Sequence, residues 1–223
     1  AWTAWAQPMF RLSALGACVA LDPPVLVEPG AAPDLAARVL ALLAVVEDSG
    51  PDPVVAVGAS IGGLVARRAA RRRPGTFRRV LATALRPDLE DLSGIRSEMA
   101  VASATDARRY LERTWHRPPP TSPAALEQVI GTMSAAGFRA AVEEAAACNL
   151  LEETRLAALA GVPLAFLYGA GDVLMAGPGG SPVPAEVHVE RLEACGHHLH
   201  YERLEETVAW IGRHLGSPAS SET

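Results

Sequence analysis

Residues 54–66 read VVAVGASIGGLVA: four apolar residues, a turn made of small ones, then an immediate return to a helical pattern. A run this short suits a strand buried on both faces better than a helix. A strand that passes straight into a helix implies a βα unit, and repeated βα units imply a parallel sheet. The turn also places Ser60 between Gly58 and Gly62. A serine there can cap the following helix, or it can serve as a nucleophile.

The same rhythm recurs along the chain. Residues 17–21, ACVAL, read as a strand ending at Asp22-Pro23-Pro24. Leu35, Val39, Leu42, Leu43 and Val46 fall at helical spacing within 33–48. GPDP at 50–53 is a turn, and Val54 to Val57 form the next strand. A helix is expected from Ser60 to Arg73, stopped by Pro74-Gly75, with a buried strand at 79–85. Further strands are expected at 162–168 and 186–192, and a last helix at 203–215.

The rhythm changes at Arg86. From there to residue 158 the patterns are helical, with Thr105 and Ser122 as N-caps and RPPP at 117–120 as a rigid break. This divides the chain into a core of 1–86 plus 159–217, a helical insertion at 87–158, and a flexible tail at 218–223. The insertion reads as a cap over a site.

Composition removes several function classes. All twenty basic residues are arginine, so Schiff-base catalysis, the Gly-Lys phosphate loop and Tyr-Lys dehydrogenase sites are closed to this chain alone. A net charge of −5 argues against nucleic acid as a partner. No apolar run approaches the roughly 20 residues that cross a bilayer, so no membrane partner is expected. Cys18, Cys148 and Cys195 lack metal-ligand spacing and read as reduced thiols of a cytoplasmic protein. His197, His198 and His200 cluster without acidic or cysteine partners in a ligand pattern, so neither metal nor other cofactor is expected. His198 and His200 then read as surface or packing residues.

Three short segments each follow an expected strand: Gly58-Ala59-Ser60-Ile61-Gly62, Gly169-Ala170-Gly171-Asp172 and Cys195-Gly196-His197. Ligand sites of open parallel sheets lie at the C-terminal ends of the strands, so these segments can converge. A serine hydroxyl needs a base to take its proton, and His197 suits that role. Asp172 would hold the imidazole in the right tautomer, with Asp88 as the rival acid because it too follows a strand. Glycines at 58 and 62 would clear space around an exposed hydroxyl.

VAVGASIGGLVA, PLAFLYGAGD and LEACGHHLHYER together resemble the nucleophile, acid and histidine segments of the α/β-hydrolase superfamily, in its Ser, Asp, His order. The resemblance covers about Trp5 to Leu215. It implies an α/β fold with a mostly parallel, doubly wound sheet, shortened at the N-terminal end, and an inserted helical cap. It further implies an acyl-enzyme on Ser60, an oxyanion donor in the Ile61 amide, and a hydrophobic small-molecule acyl substrate (ester, thioester or lactone). The superfamily's early His-Gly motif, source of the second oxyanion amide, is not found before Trp2. Either those strands precede the sequence given or half the oxyanion hole is missing.

Two other classes compete. The same scaffold can serve a lyase, a cyclase or a small-molecule binding protein. VGASIGG also partly mimics a dinucleotide turn, although Ser60 replaces its middle glycine. Seven arginines within 67–79 read as a solvated helix face, or as a dock for an acyl carrier protein. Trp115 and Met133 either line the pocket or pack the cap. The sequence is silent on oligomeric state.

Overall fold

The computed structural model describes residues 5–21, 35–92, 109–110, 112–116, 143–177 and 179–216. In chain order the principal elements are α1 (Ala6–Leu12), α2 (Leu35–Asp48), β1 (Val54–Ala59), α3 (Ile61–Arg72), β2 (Phe77–Thr83), α4 (Leu150–Leu159), β3 (Leu164–Gly169), β4 (His188–Leu192), α5 (Leu199–Glu202) and α6 (Leu204–Gly216). The expected helices at 122–133 and around Thr105, the break at 117–120, Met133 and the tail lie outside the described residues.

The four strands form one sheet in the order β1-β2-β3-β4, every pair parallel. Side chains alternate across a strand, and the two faces enter separate cores. Val80, Ala82, Leu164 and Phe166 point to α2, α3 and α4, against Val39, Leu64, Ala66, Ala70 and Leu150. Leu81, Ala165 and Leu167 point the other way, to Leu12, Leu199, Trp210 and Ile211. Both faces are therefore covered, as the expected doubly wound arrangement requires. Phe166, Leu81 and Ile211 are wholly buried, each worth about 1.5–3 kcal/mol relative to exposure.

Local chemistry sets the element ends. Ala66, Ala69 and Ala70 let α3 lie close on the sheet, and Pro74 stops it just after Arg71 and Arg72 complement its C-terminal dipole. Asn149 caps α4 by accepting from the Glu152 amide at 2.9 Å. α4 lies within the stretch expected as a cap, and it packs on α3, where Arg68 pairs with Glu153.

One expected element is absent. Residues 17–21 form no strand, and Val19 is 70% exposed. A strand is made by ladder hydrogen bonds, not by apolar composition, and no described strand pairs with this run.

Candidate functional site

The site is built at the C-terminal edge of the sheet, from the turn after β1 outward. Ser60 has φ 52° and ψ −120°, a conformation that costs an L-residue on the order of 1–3 kcal/mol. Its amide is anchored to the Thr83 carbonyl at the end of β2, at 2.8 Å. The turn is tight enough that a Cβ on Gly58 would lie 2.3 Å from the Gly62 backbone. Gly62 itself faces open space. The second steric requirement falls on Gly63, where a Cβ would stand 2.8 Å from Leu85 Cδ1. The expectation about Gly62 is thus corrected: α3 approaches the sheet through its neighbour.

The Ser60 side chain makes no capping hydrogen bond to α3. Nothing in the helix start uses the hydroxyl, so the capping alternative is not what the turn provides. The amides of Gly63 and Leu64 bond back to the Ser60 carbonyl at 2.9 and 3.3 Å. Ile61, at the first helical position, has no acceptor within the helix, and its N–H lies where a helix favours negative charge.

The other strand ends are stitched to this one. Ala84 donates to the Leu167 carbonyl at 2.9 Å, Ala170 to Leu192 at 2.8 Å and Gly171 to Cys195 at 2.9 Å. The row fixes the loop after β3, where the Asp172 carboxylate accepts from the Leu174 amide at 3.0 Å. Asp172 Oδ2 stands 2.7 Å from His197 Nδ1, and both residues are buried. A carboxylate can only accept, so Nδ1 carries the proton donated to Asp172 and Nε2 is the nitrogen left facing away from it. Among the described residues no hydrogen bond joins the Ser60 hydroxyl to His197. Tyr110 is buried nearby, and its hydroxyl is pushed upward by burial and secondarily by the Asp172 charge.

Asp88, the rival acid, is engaged elsewhere. Arg86 binds it at 2.8 Å, and the Gly180 amide donates to it at 3.0 Å. Burial alone would raise this carboxyl, but Arg86 outweighs that effect and the net shift is downward. Arg86 also donates to the Met175 and Gly177 carbonyls at 3.0 and 3.2 Å, bracing the loop that follows Asp172.

An apolar pocket opens beside Ser60. Among the described residues its walls include Ile61, Leu85, Leu92 and Leu150, together with Leu174 and Met175 from the Asp172 loop. Trp115 packs instead on His198 and Tyr201, with ring centroids 5.1 and 5.6 Å away. His198 and His200 are packing residues in a buried wall. Burial holds His198 well below the usual imidazole range, with the His197 charge a second cause. Cys195 is fully buried, and burial, then the Glu202 charge, pushes its thiol up to about 12. It is no nucleophile. Most of the arginine run has internal partners: Arg67 and Arg68 bind α4, Arg73 pairs with Glu47, and Arg78 and Arg79 reach the Leu215 and His214 carbonyls.

Among the described residues no group of three or more His, Cys, Asp or Glu is placed to hold a metal ion, and no helix is long and apolar enough to cross a membrane. One residue the sequence reading passed over is Glu202, whose carboxylate meets the Gly196 amide at 3.1 and 3.2 Å. Its position five residues after His197 was the available signal.

Comparison with known proteins agrees with this architecture. An esterase from Exiguobacterium antarcticum matches over 96% of this chain and 87% of its own, with a TM-score of 0.72 and 12% identity. A membrane phospholipase A, a bacterial virulence factor, matches over 96% and 74%, with a TM-score of 0.69 and 20% identity. The N-acyl homoserine lactonase AidH, solved with N-butanoyl homoserine, matches over 88% and 75%, with a TM-score of 0.64 and 15% identity. At these identities the likeness is one of fold. No curated protein matches the chain. The model of the alpha/beta hydrolase family matches residues 1–210, nearly the full length, and the chain belongs to that family.

Proposed function

We propose that this protein is a serine hydrolase that cleaves a carboxylic ester, thioester or lactone through an acyl-enzyme on Ser60. The observation that carries the reading is the pairing of a strained, uncapped serine at one strand end with a buried histidine–carboxylate pair two and three strands away. A protein has little reason to hold Ser60 at positive φ unless the hydroxyl must project from the sheet.

The steps follow from the residues. An apolar acyl or alkyl group lies along Ile61, Leu85 and Met175, with its carbonyl carbon over Ser60. Ser60 Oγ attacks that carbon as His197 Nε2 takes its proton, and Asp172 stabilises the imidazolium. The carbonyl oxygen becomes an oxyanion and accepts from the Ile61 amide at the start of α3. Collapse breaks the bond to the alcohol or thiol, which leaves with the proton from His197. Water then repeats the attack, releasing the acid and restoring Ser60. The serine–histidine bond forms as substrate seats, since such contacts tighten in the complex.

The test is Ser60→Ala against a p-nitrophenyl ester, paired with fluorophosphonate labelling. The wild-type chain should turn over the ester and take the label at Ser60. The variant should do neither while its circular dichroism is unchanged. Equal turnover by the two would sink the mechanism, and an unlabelled wild-type serine would favour a lyase, cyclase or binding role for the same pocket.

A further inference from the structure

Residues 114–116, within the stretch expected as a cap, lie flush against the loop that carries His197. The His197 amide donates to the Thr114 carbonyl at 2.8 Å. Thr114 Oγ1 stands 2.9 Å from His198 Nε2 and donates to the Tyr110 carbonyl at 3.0 Å. Gly196 immediately precedes His197. A Cβ there would lie 2.4 Å from the Thr114 carbonyl oxygen and 2.7 Å from the His116 amide, so the two segments touch backbone to backbone.

Glu202 closes this contact. Its Oε2 accepts from the His116 amide at 2.9 Å, and its two carboxylate oxygens lie 3.1 and 3.2 Å from the Gly196 amide. The residue is itself fixed, at the end of α5, by its amide's 2.9 Å bond to the His198 carbonyl. One carboxylate thus joins three things: the inserted segment, the peptide before His197, and the short helix after it. Hydrogen bonds to a charged acceptor are roughly twice as strong as neutral ones, so this is the strongest tie in the contact.

We propose that Glu202 is a positioning residue for His197, stapling the inserted segment to the backbone that sets where the imidazole stands. The proposal rests on His197 acting as the base. The amides of residues 196 and 197 are bonded to groups on either side of one junction: Glu202, which also holds His116, and the Thr114 carbonyl. Seating of the segment and placement of the base are therefore one equilibrium, and Glu202 biases it.

Two variants of the full chain, Glu202→Ala and Glu202→Gln, test it. Each is read by kcat and KM on a p-nitrophenyl ester, by thermal melting, and by NMR of the His197 Nδ1 proton in nitrogen-labelled-histidine protein. A displacement of the base by an ångström costs about a hundredfold, so Glu202→Ala should lose about 10- to 100-fold in kcat with KM little changed. Its Nδ1 proton resonance should shift or broaden. Glu202→Gln should fall between, because one amide oxygen at the Oε2 position still accepts from His116 and Gly196. Unchanged kcat and resonance with only a lower melting temperature would reduce Glu202 to a structural role and overturn the proposal. If the alanine variant does not fold, the glutamine variant carries the same comparison. If the wild-type chain has no turnover, the serine reading fails separately, and the resonance alone still decides whether Glu202 positions His197.

Discussion

Asp172 Oδ2 and His197 Nδ1 stand 2.7 Å apart in a buried setting, and Asp172 Oδ1 is at the same time committed to the Leu174 amide. The carboxylate therefore has one face for the loop and one for the imidazole. In Asp172→Asn the oxygen would stay with Leu174 and the amide nitrogen would turn to His197. Donor would face donor, and the imidazole proton would move to Nε2, where Ser60 needs an acceptor. The expected loss in kcat is about 10³- to 10⁴-fold with the fold retained. Asp88→Asn, which touches only Arg86 and the Gly180 amide, should leave kcat nearly unchanged. Steady-state kinetics of the two variants side by side checks the assignment, and the reverse order would reject it.

Gly58 and Gly62 should respond oppositely to alanine. At 58 the new Cβ meets backbone at 2.3 Å, which cannot rotate away, so the turn must open. Overpacking of this kind costs about 1–3 kcal/mol or more. At 62 nothing lies within 4 Å and the position is helical, so alanine should stabilise by about 0.4–1 kcal/mol. Urea unfolding of both variants decides it. Comparable losses at the two positions would contradict the geometry.

What was legible in the sequence was local. Val54–Ala59 followed by Ile61–Arg72 declared itself because strand, turn and helix are contiguous, and the burial split between Val80 and Leu81 follows from alternation alone. The strand expected at 17–21 failed because pairing depends on a neighbour the run itself does not encode. Gly63 was passed over for Gly62 because the contact that needs it comes from Leu85, across the sheet. Asp172 and Asp88 looked alike for the same reason: each follows a strand, and only the partner, His197 or Arg86, separates them. Glu202 left only its nearness to His197 as a signal, because its role is to hold two backbone amides, which no side-chain motif records.

His200 makes stability depend on pH. It is buried, stacks on Trp5 with centroids 5.3 Å apart, and its Nδ1 has no hydrogen-bond partner among the described residues. Burial, then the His197 charge, lowers its pKa from 6.5 to about 4. The unfolded chain therefore binds a proton more readily than the folded one between those values. Stability from this group is full above pH 6.5, declines as pH falls, and is lost by about pH 4, a span worth roughly 3 kcal/mol. His198 is lowered too and acts in the same sense. In His200→Phe, which keeps an aromatic ring against Trp5, unfolding free energy should fall less steeply from pH 6.5 to 4 than in the wild type. Identical slopes in urea titrations would exclude His200 as a source.

Arg67 presents the opposite case, a buried charge the fold can do without. It is fully buried between α3, α4 and β3, with Nη1 bonded to Thr154 Oγ1 at 2.7 Å and to the Leu150 carbonyl at 3.3 Å. Among the described residues its Nε and Nη2 have no hydrogen-bond partner, and burial, opposed by the Glu153 charge, lowers its pKa to about 10. The cation is thus desolvated without full compensation. Removing it strands nothing, because Thr154 Oγ1 also donates to the Leu150 carbonyl at 2.7 Å and Glu153 keeps Arg68. Methionine has similar length and can pack on Phe166, over which the guanidinium carbon now sits 5.5 Å from the ring centroid. Arg67→Met should be neutral or stabilising by about 1–3 kcal/mol, whereas Arg67→Ala should lose about 2–3 kcal/mol by leaving a cavity. Urea unfolding separates charge from volume: if methionine costs as much as alanine, the guanidinium's two hydrogen bonds outweigh its desolvation.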